Sequence, residues 1–398
     1  MGRAVIIRIM LIKNLFLAIF RWYCDIRNIG GRMECRLVLA ILLAVGSYTK
    51  AKVMALIPTN QKLFEGRTIL VIGGTGYLGR ALTGEILRYN PKKIIIYSRD
   101  EVKHLNVSNI FGKDKVQCVI GDVRDYQRLT HAMKGVDIVF HVAALKRMDD
   151  AEYNAEEALK TNAVASLNVF YSCVENNVEK VLFISTDKAC LPINVYGACK
   201  FLSEKIFTNY DKSKIKTTFM VTRFGNILDS TGSVIPIFIE KIKKSEDITL
   251  TDERMTRFII SKREATELIF DALRYGRGGE IFIPKMPAMK ITDLIEIIKD
   301  VFGKENKTRI IGLRPGEKLH EILFSEFEAQ RAYEYKNRYV ITPSIGYQLD
   351  EAGLIPNYIE SGEKLSGTKI HNYSSEDRVV EKERLKEILQ QLNLLNVQ

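Results

Sequence analysis

The sequence predicts an α/β protein: a doubly wound parallel sheet carrying a smaller α/β lobe. Three observations predict it. From Arg67 onward, short β-branched runs alternate with amphipathic stretches of helical length, the pattern of a parallel sheet covered on both faces. The first run empties into glycines at 73, 76 and 79. Six such runs precede Gly225, and after it the alternation loosens.

In order, Thr68–Ile72 is apolar throughout, as a strand buried on both faces must be, and Lys93–Tyr97, Val116–Ile120, Asp137–His141, Lys180–Ile184 and Thr217–Thr222 read as the strands that follow. Helical periodicity falls around 78–89, 125–133, 155–176 and 196–209. Six strands so connected make a Rossmann-like sheet over 66–225. Beyond it, Ile235–Lys244, Ser261–Tyr275 and Ile291–Phe302 read as helices and Glu280–Ile283 as a strand, giving a substrate-binding lobe over 226–345 with some later segments returning to the first domain. Residues 346–398 read as a polar tail ending in an amphipathic helix near Ser375–Leu395.

Composition narrows the function. The 398 residues carry a net charge of +11, but ten Lys/Arg against Asp25 and Glu34 place +8 of it in residues 1–62. The globular part is nearly neutral, which argues against nucleic-acid binding. Six cysteines without a CxxC pair and five scattered histidines predict reduced thiols and no metal site. The apolar runs of the front end, 4–20 and 37–45, are interrupted by charge or too short to span a bilayer. They leave open an interfacial membrane anchor, a leader or a dispensable extension, with Met54 as an alternative start, in an otherwise cytoplasmic protein.

Gly73, Gly74, Thr75, Gly76, Tyr77 and Gly79 lie between a strand and a helix, where backbone N–H groups and the helix N-terminus can cradle a pyrophosphate. The second strand ends in Ser98 and Arg99, about 20 residues after the last glycine, which suits the 2′-phosphate of NADP in preference to NAD. Asp122 and Val123 end the third strand, where Asp122 can accept from an adenine amine; Ala143 and Lys146 follow the fourth. Tyr196 and Lys200 are four apart, hence on one helical face, where an ammonium can lower a phenol's pKa and make it a base for a hydroxyl.

A glycine-rich loop, a fifth strand ending in Ser185-Thr186 and a Tyr-x-x-x-Lys pair together resemble the short-chain dehydrogenase/reductase superfamily in its extended, nucleotide-sugar form. That resemblance implies that Tyr196 and Lys200 act on a sugar hydroxyl bound by Thr186. The acid and amine at Asp187-Lys188 resemble the inverting UDP-N-acetylglucosamine 4,6-dehydratases of polysaccharide biosynthesis, as do Arg223–Pro236, Arg254–Phe258, Gly278–Pro287 and Gly312–Glu321, from roughly residue 66 to the end. The resemblance implies a lyase that oxidises C4, loses water across C5 and C6 and inverts C5, yielding a UDP-2-acetamido-2,6-dideoxy-L-arabino-hex-4-ulose for deoxyamino-sugar glycans. Asp187 is then the acid at the 6-hydroxyl, and Lys188 the base at C5, provided burial and positive neighbours hold part of it unprotonated. Asn226 and Val234 line the sugar and nucleotide, Arg257, Arg314 and Glu317 meet the diphosphate, and Lys146 lies near cofactor and sugar. His320 reads as a helix-start residue. Relatives imply a homo-oligomer. A UDP-sugar 4-epimerase, which needs no acid and base for dehydration, and a non-catalytic NADP-binding scaffold are the alternatives, and UDP-glucose stays open as a substrate.

Overall fold

The computed structural model describes residues 59–230, 233–345 and 357–395. Leu63–Gln398 is one compact unit. The expectations for the front end, including the Met54 start, fall outside the described residues.

The first half of the unit runs β1 (Thr68–Ile72), α1 (Tyr77–Leu87), β2 (Lys93–Ser98), α2 (Glu101–Phe111), β3 (Val116–Ile120), α3 (Tyr126–Ala132), β4 (Ile138–His141), α4 (Met148–Tyr153), α5 (Ala165–Glu175), β5 (Lys180–Thr186), α6 (Val195–Thr208) and β6 (Thr218–Phe224). The second half runs β7 (Asn226–Ile227), α7 (Val234–Lys243), β8 (Ile248–Leu250), β9 (Thr256–Ile260), α8 (Lys262–Tyr275), β10 (Ile281–Pro284), β11 (Ala288–Lys290), α9 (Ile291–Phe302), β12 (Thr308–Ile310), β13 (Ile322–Phe324), β14 (Ala332–Tyr335), β15 (Arg338–Ile341), β16 (Glu363–Lys364), β17 (Tyr373–Ser374) and α10 (Lys382–Gln391).

Seven strands form a parallel sheet in the order β3-β2-β1-β4-β5-β6-β10, and β15, β14 and β16 extend it antiparallel. All five residues of β1 are buried, whereas β3 is an edge strand and half open. β1 sits between β2 and β4: the chain steps from β1 through β2 to β3 on one side and then crosses to β4 on the other, opening a crevice at the strands' C-terminal ends.

Two differences from the sequence reading have local causes. The stretch expected as one helix over 155–176 is broken by a π-helical segment, Leu159–Val164, between Ala155–Ala158 and α5. Helix α2, unforeseen because its face is weakly amphipathic, starts where the Asp100 carboxylate accepts the Lys103 N–H at 2.9 Å. A second apolar core joins Ile235, Phe238 and Ile242 of α7 to Leu294 and Ile298 of α9 and to Leu385 and Leu389 of α10. The terminal helix is therefore a packed element, shorter than the expected 375–395. Among the described residues no helix is long and apolar enough to cross a membrane, and no three His, Cys, Asp or Glu side chains group as metal ligands.

Candidate active site

The crevice at the ends of β1, β4 and β5 holds a cavity of about 760 Å³. Its floor is the β1–α1 loop. Gly73 has φ +80°, and a Cβ there would lie 2.7 Å from the Ala143 backbone, so the loop closes on β4 only with glycine. Gly74 and Gly79 pack helix against strand, a Cβ on Gly79 falling 2.5 Å from the Gly74 Cα. Thr75, Gly76 and Tyr77 line the cavity. This is a cradle that side chains would fill, and its scale and exposed backbone fit a dinucleotide pyrophosphate.

Beyond the loop, Ser98, Arg99 and Val123 line one end. The Ser98 hydroxyl lies 3.0 Å from both Thr75 Oγ1 and His104 Nε2. Lys103, one turn into α2, joins this wall and pairs with Asp100 at 2.8 Å; its position on an unforeseen helix hid it from the sequence reading. Asp122 stands behind the wall, clasped by Arg124 and 3.7 Å from Arg99. Burial raises the pKa of this carboxyl, but the Arg124 hydrogen bonds outweigh it and hold it below the usual range.

At the other end, β5 and the turn after it bring Thr186 and Lys188 to the cavity wall and α6 brings Tyr196 and Lys200, with Ala143, Lys146, Asn226 and Val234 around them. Asp187 is wholly buried behind that wall. Thr186 donates its hydroxyl to Asp187 Oδ1 at 2.9 Å, and Lys188 Nζ donates to the same oxygen at 3.0 Å. Helix α6 can approach this turn because residue 197 is glycine: a Cβ would lie 2.2 Å from the Lys188 carbonyl oxygen. Its N-cap, Asn194, accepts the Gly197 N–H at 2.7 Å and donates to the Gly316 carbonyl at 2.8 Å, fixing the 312–321 segment beside the site.

The electrostatics depart from expectation at three groups. Burial drives Lys200 down to about 7, and its Nζ donates to the Ile184 carbonyl at 2.7 Å and lies 4.3 Å over the Phe183 ring. Burial drives the Tyr196 phenol up to about 12; the charge that pulls it back is that of Lys188, with Thr186 hydrogen-bonded to it, rather than that of Lys200. Lys188 also differs. Burial and Arg257 press its pKa down, but the Asp187 and Glu321 carboxylates outweigh them and raise it, so the condition of a partly unprotonated amine is not met here. Asp187 goes up, chiefly by burial and with Glu321 adding, which suits an acid.

Arg257, Arg314 and Glu317 lie outside the cavity lining. Arg257 is buried, donating to the Thr256 and Leu319 carbonyls at 2.7 and 3.0 Å and standing 3.6 Å from Glu317. The half-exposed Arg314 lies 3.4 Å from Asp149. His320 starts no helix; its Nδ1 lies 2.8 Å from Thr256 Oγ1. Glu321, the acid that closes the 312–321 motif, was given no role by sequence, yet its Oε1 lies 3.0 Å from Lys188 Nζ.

A family model described as polysaccharide biosynthesis protein matches residues 69–343. A UDP-N-acetylglucosamine 4,6-dehydratase (inverting) from Campylobacter jejuni subsp. jejuni serotype O:23/36 (strain 81-176) is 44% identical over 320 residues, 79% of this chain and 94% of the relative. A UDP-glucose 4-epimerase from Rickettsia bellii (strain RML369-C) is 40% identical over 84% of this chain and 98% of the relative. The X-ray structure of Pen from Bacillus thuringiensis matches with a TM-score of 0.77 and 36% identity, covering 83% of this chain and 99% of that one.

Proposed function

The chain belongs to the polysaccharide biosynthesis protein family, and from that premise we propose that it is an inverting UDP-N-acetylglucosamine 4,6-dehydratase, a lyase that uses NADP. The observation that carries the reading is the pair at the end of β5: a buried carboxyl with a raised pKa, 3.0 Å from an amine on the cavity wall. Removal of water across C5 and C6 needs both an acid for the leaving hydroxyl and a base for the C5 proton. Exchange at C4 alone needs neither.

The dinucleotide would be held by the Gly73–Gly76 backbone, by Thr75 and by Val123 and Ala143 along its length. Ser98, Arg99 and Lys103 favour the 2′-phosphate of NADP, since hydroxyl and cationic groups converge there and the nearby Asp100 caps α2 and pairs with Lys103. Bound there, it supplies reversible two-electron oxidation at C4, undone at C6. Tyr196, as its phenolate, takes the 4-hydroxyl proton, and its Thr186 hydrogen bond and the positive charge of Lys188 stabilise that phenolate against burial. Asp187 protonates the departing 6-hydroxyl and Lys188 receives the C5 proton. Asn226, Val234 and Lys146 border the sugar, and Arg314, freer than Arg257, meets the diphosphate beside Glu317.

The test is to incubate the purified chain with UDP-N-acetylglucosamine, supplying NADP or NAD, and to follow the sugar by NMR. A 6-deoxy-4-keto product with inverted C5, formed faster with NADP, is expected. The galacto isomer would reassign the chain as an epimerase, the name its Rickettsia relative carries. UDP-glucose run in parallel settles the acetamido preference.

A further inference from the structure

The 312–321 segment brings a carboxylate to Lys188 from the side of the second lobe. Lys188 Nζ lies 3.0 Å from Asp187 Oδ1 and 3.0 Å from Glu321 Oε1, so one ammonium is held between two acids. The Glu321 side chain is 3% exposed, and its Oε2 is buried without a hydrogen-bond partner, as is Asp187 Oδ2. Its backbone is fixed from the C-terminal segment: the Glu321 N–H donates to Ser375 Oγ and the Ser375 N–H donates to the Glu321 carbonyl, both at 2.9 Å. Ser375 is fully buried, and its Oγ lies 2.7 Å from Thr256 Oγ1. A buried acid anchored this firmly against a cavity-wall amine is placed for more than packing.

Resting on the dehydratase reading, we propose that Glu321 is a positioning residue of the reaction: it grips the Lys188 ammonium together with Asp187 and so fixes where Nζ stands when the amine takes the C5 proton. In the resting pair Asp187 is a carboxylate and Lys188 an ammonium. One proton passes from Nζ to Asp187 Oδ1, leaving a neutral acid and an amine with a free electron pair. The amine takes the C5 proton, the C5–H electrons form the C5–C6 double bond, and the C6–O bond breaks as Asp187 returns its proton to the departing oxygen, which leaves as water. The site ends as it began, carboxylate beside ammonium. Glu321 opposes the first transfer and aids the second to no greater extent, so its contribution to the barrier is to hold Nζ at one position between the two carboxylates.

The other charged or titratable groups facing Lys188 are Asp187 on its own turn, Tyr196 from α6 and Arg257 from β9; Lys318, 4.0 Å from Glu321 Oε2, steadies the acid. Burial raises the Glu321 carboxyl, but Lys188, Arg257 and Lys318 outweigh it and keep it ionised.

The test is Glu321→Gln, which keeps shape and removes charge. The Lys188 titration is followed without substrate, by pH-dependent acetylation read at its peptide by mass spectrometry. Its midpoint should fall by about one pH unit or more. With UDP-N-acetylglucosamine, the acidic limb of the kcat profile should move the same way and, with Nζ less firmly placed, the plateau should fall about tenfold or more, with KM changed less than about threefold. Should the Gln variant fail to fold, Glu321→Asp must move both midpoints in the same direction by a smaller amount. A Lys188 midpoint that stays put in a folded variant overturns the proposal, whatever happens to turnover. A moved midpoint in a chain that forms no 4-keto sugar keeps the clamp and removes the dehydratase reading.

Discussion

Two buried charge clusters stand at the ends of neighbouring strands and differ in one respect, the satisfaction of their oxygens. In the first, Arg223 of β6 donates from Nε to Glu204 at 2.9 Å, from Nη1 and Nη2 to Glu328 at 2.9 Å each, and from Nη1 to the Leu323 carbonyl at 2.7 Å. Ser185 completes it, donating to Glu204 at 2.5 Å. In the second, Lys188 bridges Asp187 and Glu321, each of which keeps one buried oxygen without a hydrogen-bond partner. A network in which every carboxylate oxygen has a hydrogen-bond donor holds β6 in register with the 323–328 segment. One left partly open keeps capacity to accept a proton, and that open capacity is what chemistry requires.

The sharpest way to break this contrast is Asp187→Asn. The amide matches the carboxylate in shape, so the fold should stand, but the site loses its acid, and kcat should fall about 10²–10⁴-fold. Steady-state turnover of UDP-N-acetylglucosamine measures it, and a variant that retains wild-type turnover would make the second cluster as structural as the first.

The same manoeuvre on the first cluster should act on stability instead. Arg223→Met leaves Glu204 and Glu328 buried without their cation, and removal of one partner of a buried pair costs about 3–5 kcal/mol. Urea unfolding followed by circular dichroism reads the loss. At temperatures where the variant is still folded, kcat should stay near wild type, since Arg223 touches neither Thr186 nor Lys188.

Much of one half of the site was legible because it is made of backbone. Gly73 and Gly79 announce a turn and a close approach that only glycine permits, and the apolar β1 before them fixes where the loop points. Tyr196 and Lys200 were legible by helical spacing, and Asp187-Lys188 by adjacency. What sequence did not show is direction. Lys200 turns to the Ile184 carbonyl, and Lys188 has a second acid 133 positions away, delivered by a loop whose register depends on Asn194 and Ser375. The antiparallel extension β15-β14-β16 and the packing of α10 were hidden for the same reason: each depends on partners remote in sequence. Local pattern encodes elements and loops; the charge state of a buried amine is set by what tertiary contact brings beside it.

The two clusters also respond to acid in opposite directions. Burial pushes Glu328 up, but the Arg223 guanidinium and the Ser325 N–H outweigh it and hold it at about 2, against an ordinary 4.5. As pH falls below 4.5 the unfolded chain takes up this proton before the native one does, so the stabilisation, complete above 4.5, drains away down to about 2. Asp187 runs the other way. Its native pKa is raised above 3.8, so the native state binds the proton first and gains stability as pH falls from that raised value toward 3.8. Urea midpoints taken between about pH 5 and pH 2.5 should therefore fall less steeply in Glu328→Gln than in wild type, and more steeply in Asp187→Asn. If both variants shift the slope in the same direction, the two clusters share one electrostatic character and the distinction between scaffold and site fails.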